Sequence, residues 1–158
     1  VNSVVAQTAK KHRPSPQPAA PSKAAIAAMI PGLRAAVKAK PNDPQLRNTL
    51  GAALADSGQI NPAIEEFRQA IALKPDYAEA WTNLAAVLEQ KGDVVAAIEA
   101  FQRATQLNPN DADLHFSLGS LLHRTQMLDA AVGEFRYALQ LKPTPELHAN
   151  LGFVLGQM

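Results

Sequence analysis

The chain has 158 residues, of which 47% are hydrophobic but only 5% aromatic, so its apolar mass is Ala, Leu, Ile and Val. That composition suits close-packed helices and argues against an all-β sandwich. The absence of cysteine excludes a disulfide scaffold, a thiolate metal site and a cysteine nucleophile, and leaves the redox compartment open. No apolar run approaches the roughly 20 residues that span a bilayer, so neither a membrane span nor a membrane partner is expected. The net charge of +1 hides an asymmetry. Residues 1–40 carry Lys10, Lys11, Arg13, Lys23, Arg34, Lys38 and Lys40 and no acid, while the remainder carries 8 basic and 14 acidic residues. A basic arm precedes an acidic body.

In chain order, residues 1–23 come first, with Pro14, Pro16, Pro18 and Pro21 among Ser, Gln, Ala and Lys. Such a mixture cannot keep a helical hydrogen-bond ladder and reads as a tail or linker. Lys10-Lys11-His12-Arg13 reads as a solubilising feature before it reads as an import or anion-binding patch. The first residue is Val1, which points to a fragment boundary or, through Val4-Val5-Ala6, to a cleaved secretory signal.

Beyond the tail an internal repeat sets the architecture. Pro41, Pro75, Pro109 and Pro143 lie 34 residues apart. Leu50, Leu84 and Leu118 recur at the same interval, as do Ala63, Ala97 and Ala131, Phe67, Phe101 and Phe135, and Ala70, Ala104 and Ala138. Within the middle unit Trp81, Leu84, Ala85 and Leu88 form one helical stripe, and Ala97, Phe101, Ala104 and Leu107 form a second after the break at Gly92-Asp93. Each unit is therefore two helices and a short turn. Prolines with neighbouring Asp or Asn, as in Lys74-Pro75-Asp76 and Asn108-Pro109-Asn110-Asp111, are expected to end one helix and cap the next; Asn61-Pro62 is expected to start a second helix.

These divisions give a lone capping helix at 24–43, full units at 44–77, 78–111 and 112–145, and a partial unit or cap at 146–158. Leu33, Ala36 and Val37 are in phase with Phe67, Ala70 and Ile71, so the segment before Pro41 reads as a second helix without its first. Leu147 to Leu155 reads as a first helix without its second, and Leu151 arrives one residue early because the Pro143-Thr144-Pro145 link is short. An exposed end of this kind invites self-association or further repeats.

The repeated residues resemble the tetratricopeptide repeat family. The pattern is a bulky residue, Leu-Gly or Leu-Ala, a large residue, then Ala, Phe, Ala and Pro: Trp81, Leu84-Ala85, Leu88, Ala97, Phe101, Ala104 and Pro109 in the middle unit. Arg47 and His115 depart from it at the bulky position and Gln126 at the turn glycine seen as Gly58 and Gly92, which should weaken local packing. The resemblance implies an all-α, right-handed solenoid of antiparallel helix pairs whose first helices line a concave face. It also implies which side chains enter that face: Asn48, Thr49, Ala52, Thr82, Asn83, Ala86, Phe116, Ser117 and Ser120. Thr49, Asn83, Ser117 and Asn150 make a polar ladder suited to an extended peptide backbone. A similar ladder lies in the repeat arm of O-linked N-acetylglucosamine transferases, whose repeats Ala80-Trp81-Thr82-Asn83-Leu84-Ala85 resembles. A solvated helix surface would equally carry Asn and Ser.

Relatives that grip a C-terminal carboxylate need several cationic donors on this face. The matching positions here are Asn48, Ala52, Asn83, Asp113 and Ser117, and only Asn83 is retained. With Asp56, Glu79, Glu89, Asp113 and Glu146 opposed by Arg124, the groove is expected to favour a neutral or basic peptide. Phe116 is expected either to anchor a partner side chain or to be partly covered by a neighbour; Trp81, Phe67, Phe101 and Phe135 are expected in the core.

No nucleophile, base and orienter converge, no phosphate loop occurs, and His115, His123 and His148 lack metal-ligand spacing, so no enzyme activity, cofactor or metal is expected. Nucleic acid is not an expected partner. The sequence thus points to a non-catalytic scaffold that binds protein or peptide. A second reading is the substrate-recognition arm of a larger enzyme such as a glycosyltransferase. Part of Ala9 to Lys23 is a candidate to lie against a repeat surface, its own or a neighbour's, since it is basic and the groove acidic.

Overall fold

A computed structural model of the chain describes residues 22–158; the proline-rich segment, its Lys10 to Arg13 cluster and its suggested contact with the repeats lie outside the described residues. Among the described residues are eight helices and no strand: α1 (Lys23–Ala39), α2 (Pro44–Asp56), α3 (Ile60–Leu73), α4 (Ala78–Lys91), α5 (Val94–Leu107), α6 (Ala112–Arg124), α7 (Leu128–Leu141) and α8 (Pro145–Leu155). Each helix packs on its neighbours in sequence, most closely α2 on α3, α4 on α5 and α6 on α7. The result is an all-α, right-handed solenoid of antiparallel pairs.

One rule builds the core of every pair. The second helices bury Ala63, Phe67 and Ala70, Ala97, Phe101 and Ala104, and Ala131, Phe135 and Ala138, none more than 4% exposed. The alanines let the paired axes approach and the ring fills the space left between them. Gly51 and Gly119 are part of the same fit, because a Cβ would stand 2.7 Å from the Phe67 ring and 2.9 Å from that of Phe135. Trp81 packs at the edge of this core, in keeping with the sequence expectation.

The helix ends show where short-range reasoning succeeded and where it did not. Asp111 Oδ1 accepts from the Asp113 and Leu114 amides at 3.0 and 3.2 Å, and Asp43 caps α2 in the same way at 3.0 and 3.1 Å. These are the side-chain caps that satisfy a helix's first free N–H groups. Asp76 makes no such cap, because α4 begins after Tyr77. Asn61-Pro62 does not start α3 either; the helix opens two residues earlier than a cap at Asn61 would set it, at Ile60 after Gln59. The tight turns between the two helices of a pair need a left-handed residue: Gly58 and Gly92 take φ of 86° and 87°, and Gln126 takes 62°. Gln126 therefore keeps the turn at a conformational cost instead of abolishing it.

The bulky position carries a correction. Arg47 and His115 do not leave a weak spot where Trp81 stands in the middle unit. The Trp81 indole donates to the Pro75 carbonyl at 3.0 Å, the Arg47 Nε donates to that of Pro41 at 2.9 Å, and the His115 Nε2 lies 2.9 Å from that of Pro109. All three side chains tie the start of a first helix to the proline six residues before it. What differs is the neighbour on the second helix. Arg47 meets Glu66 at 3.1 Å and His115 meets Glu134 at 2.6 Å, whereas Trp81 meets the small Ala100 at the equivalent position.

Candidate peptide-binding groove

Of the first helices, α2 and α4 touch directly, as on the tighter side of a curved stack. A cavity of about 390 Å³ opens between them and the start of α1, lined by Lys23, Ala52, Asp56, Asn83, Ala86 and Gln90 among others. Three residues singled out in the sequence, Ala52, Asn83 and Ala86, thus meet in one depression. The alanines keep it open, since a longer side chain at either position would fill it.

Asn83 is held by a short polar relay. The Asn48 Nδ2 donates to Glu79 Oε1 at 2.9 Å and to the Tyr77 hydroxyl at 3.3 Å. A carboxylate can only accept, so it fixes which end of the Asn48 amide faces it and turns the Asn48 Oδ1 toward Asn83. The Asn83 Nδ2 donates to that oxygen at 3.0 Å. One N–H of Asn83 is spent in this bond; among the described residues its second N–H and its Oδ1 have no hydrogen-bond partner. Asn48 itself is only 3% exposed, so it supports Asn83 from beneath and does not face a ligand. Burial, followed by the Glu79 carboxylate, holds the Tyr77 phenol above its usual range, while the Asn48 bond pulls the other way.

The other rungs are bonded within their own helices. Thr49 donates to the Gln45 carbonyl at 2.8 Å, Ser117 to that of Asp113 at 2.8 Å, and the Asn150 Nδ2 to that of Glu146 at 3.0 Å. Thr82 and Ser120 donate in the same way to Ala78 and Phe116. A hydroxyl whose proton points back at its own helix offers lone pairs outward. The hydroxyl rungs of the inner face consequently present acceptors, while Asn83 and Asn150 each keep a second N–H beside their acceptor oxygen.

The charges are less one-sided than the sequence count. Glu89 pairs with Arg124 across α4 and α6. Asp113 lies away from the depression, beside the loop before α6, and Lys142 approaches it at 3.4 Å. Asp56 remains at the rim, with Lys23 across from it. Phe116 is half buried, its ring 5.9 Å from that of Phe135, which fits the covering by a neighbour. Phe153 was missed by the sequence reading although it stands two residues after Leu151, the spacing that selects Ala52 and Ser120. It is 61% exposed, edge-on to His123 at 5.6 Å.

Among the described residues no three His, Asp or Glu side chains gather as metal ligands. His123 contacts Gln157 at 3.0 Å and His148 contacts the Thr144 carbonyl at 2.9 Å, so the histidines serve local packing. No helix among the described residues is long and apolar enough to cross a membrane.

A stack of 34-residue helix pairs with an open inner face is a helical-repeat scaffold of the protein-interaction class. Residues 48–112 and 96–144 match the tetratricopeptide repeat family. The chain belongs to that family. It is similar in structure to MamA, with a TM-score of 0.80 and 27% identity over 85% of this chain and 80% of that one. It also resembles MamA from residue 41 to the end from Desulfovibrio magneticus RS-1, at a TM-score of 0.77, 23% identity, and 84% and 76% coverage. A third likeness is to the APC/C hetero-tetramer Cut9-Hcn1, at a TM-score of 0.72 and 22% identity over 84% of this chain and 27% of that one. No curated protein sequence matches the chain.

Proposed function

We propose that the inner face binds a protein segment in extended conformation, neutral or basic in charge, without chemically altering it. The observation that supports this is the row of outward acceptors at Thr49, Asn83 and Ser117, with the Asn83 orientation set through Asn48 by Glu79. Acceptors suit the backbone N–H groups of an extended peptide and the side chains of Lys and Arg, whereas a carboxylate would find among these three rungs only the second N–H of Asn83. Exposed Asp56 at the rim adds the same preference. Rungs repeated along the solenoid read successive residues, so affinity accumulates over a stretch of peptide and does not depend on a single deep pocket.

The test is calorimetric titration of the full chain with two sets of extended peptides, matched in length, one carrying Lys and Arg and the other Asp and Glu. The basic set is expected to bind and the acidic set not to. Asn83→Ala should then weaken binding by about 1 to 3 kcal/mol, the cost of leaving a buried peptide N–H without its acceptor, with helix content unchanged. Equal affinity of both sets, or of wild type and variant, rejects the reading. Peptide recovered unaltered after prolonged incubation is the expected result for a non-catalytic module; cleavage or modification abolished by a point substitution would overturn it.

A further inference from the structure

The two ends of the solenoid are complementary halves of one repeat. In the complete pairs, the first helix offers a seat made of Leu-Gly/Ala-x-x-Leu, and the second helix of the same pair fills it. Leu50, Gly51 and Leu54 receive Phe67; Leu118, Gly119 and Leu122 receive Phe135. Helix α8 repeats this seat as Leu151, Gly152 and Leu155. It buries only Leu147 and Val154, the pair facing α7. No described residue would come within 4 Å of a Cβ at Gly152, and Leu155 is 44% exposed. Helix α8 is a first helix whose second helix is missing among the described residues.

Helix α1 is the converse. It buries Ile30 and Val37, which match the positions by which α3 reaches the next first helix, and these face α2. Met29, Leu33 and Ala36 stand where Ala63, Phe67 and Ala70 stand in α3. Those three are at most 1% exposed in α3, whereas Met29 is 55% exposed and Leu33 and Ala36 are only half buried. Among the described residues no first helix precedes α1 to cover them.

We propose that α8 of one copy seats α1 of a second copy, so that the helix order of the solenoid runs on across the junction and copies of this chain associate head to tail. The occupant is set by continuity with the interfaces inside the chain: a first helix at one end requires a second helix in this phase, and α1 is one. Charge agrees, since α1 carries Lys23, Arg34 and Lys38 and no acid, while α8 carries Glu146 and no Lys or Arg. The contact is heterologous, and each junction leaves a free seat at one end and a free α1 at the other.

The test uses the full chain and two variants, each altered at one end. Gly152→Glu puts a charged chain into the seat where a monomer has open space, and Met29→Glu does the same on the exposed side of α1. Light scattering after size exclusion should give the wild type an average mass that rises above 16.9 kDa with concentration. Each variant alone should lose that rise, with unchanged helical circular dichroism. An equimolar mixture of the two should recover a dimer and nothing larger, because only one intact seat and one intact α1 remain to meet. A wild type that stays monomeric at millimolar concentration overturns the proposal. Association that survives either variant, or a mixture that stays monomeric, overturns it in favour of another surface or a symmetric contact.

Discussion

The three ways of fastening a first helix to its preceding proline predict a coupling that the middle unit can be made to display. Trp81 and Ala100 occupy the places that Arg47 and Glu66 hold in the first unit, and His115 and Glu134 in the third. Trp81→Arg keeps an N–H for the Pro75 carbonyl but gives up the packing of a large ring, at about 2 to 3 kcal/mol. Ala100→Glu alone places a carboxylate against the indole at a site only 2% exposed, for about 1 to 3 kcal/mol with no partner for the charge. Together the two should recreate the Arg47–Glu66 pair. That pair is well shielded, with side chains 15% and 21% exposed, so its interaction exceeds that of a surface ion pair, and a favourable coupling of about 1 to 2 kcal/mol is expected. For a chain of this length that is a recovery of roughly 2 to 8 °C in melting temperature relative to the additive sum.

The assay is a four-member urea denaturation cycle followed by circular dichroism at 222 nm. Fluorescence is unsuitable, since Trp81 is the one tryptophan in the sequence. The slope of the transition must stay constant across the cycle for the coupling to be read, because repeat arrays can lose cooperativity. A coupling within about 0.3 kcal/mol of zero, the usual error of additivity for independent sites, would refute the argument that the second-helix residue was chosen to match the first.

Asp111→Ala should destabilise the chain by about 1 kcal/mol through loss of the α6 cap, read as a lower urea midpoint, whereas Asp76→Ala, which removes no cap, should leave that midpoint in place. Gln126→Gly should raise the midpoint modestly, by roughly 0.5 to 1 kcal/mol, since relief of the left-handed strain outweighs the added chain entropy. The Tyr77 phenol is raised in the folded state, so the unfolded chain loses that proton first: stability contributed here is complete below the ordinary phenol range near pH 10 and falls as pH rises through it. In a Tyr137→Phe background, leaving Tyr77 as the one tyrosine, phenolate absorbance should titrate later in the folded chain than in urea; coincident curves would contradict the burial.

The repeat was legible because its period is carried by residues with strong and separate physical demands. Proline cannot continue a helix, glycine alone sits easily in the left-handed turn, and an Ala, Phe, Ala stripe packs only one way against a Leu-Gly notch. None of these depends on knowing a distant contact. Helix starts were less legible until the register is counted: Asp43 and Asp111 stand two residues after their proline and cap α2 and α6, whereas Asp76 stands one residue after Pro75 and leaves the cap position to Tyr77. The substitutions at Arg47 and His115 looked like losses because the sequence shows the missing ring without showing that its N–H, not its bulk, binds the proline carbonyl.

The direction of hydrogen bonding on the inner face lies deeper still. Asn83 reads as donor and acceptor alike until Glu79, four residues away on the same helix, is seen to orient Asn48 on the previous repeat. The information that fixes one groove residue is therefore spread over two repeats, and in the chain's other units the matching positions are filled differently: Thr82 with Asp113, and Phe116 with Glu146. Where Asn48 stands the relay forms; where Thr82 stands the hydroxyl turns back to Ala78, and where Phe116 stands the ring turns to Phe135. The repeats share a scaffold to within the spacing of their leucines, yet each presents a different polar surface inward. A ligand long enough to cover α2, α4 and α6 would meet three different surfaces in a fixed order, which gives the face a direction.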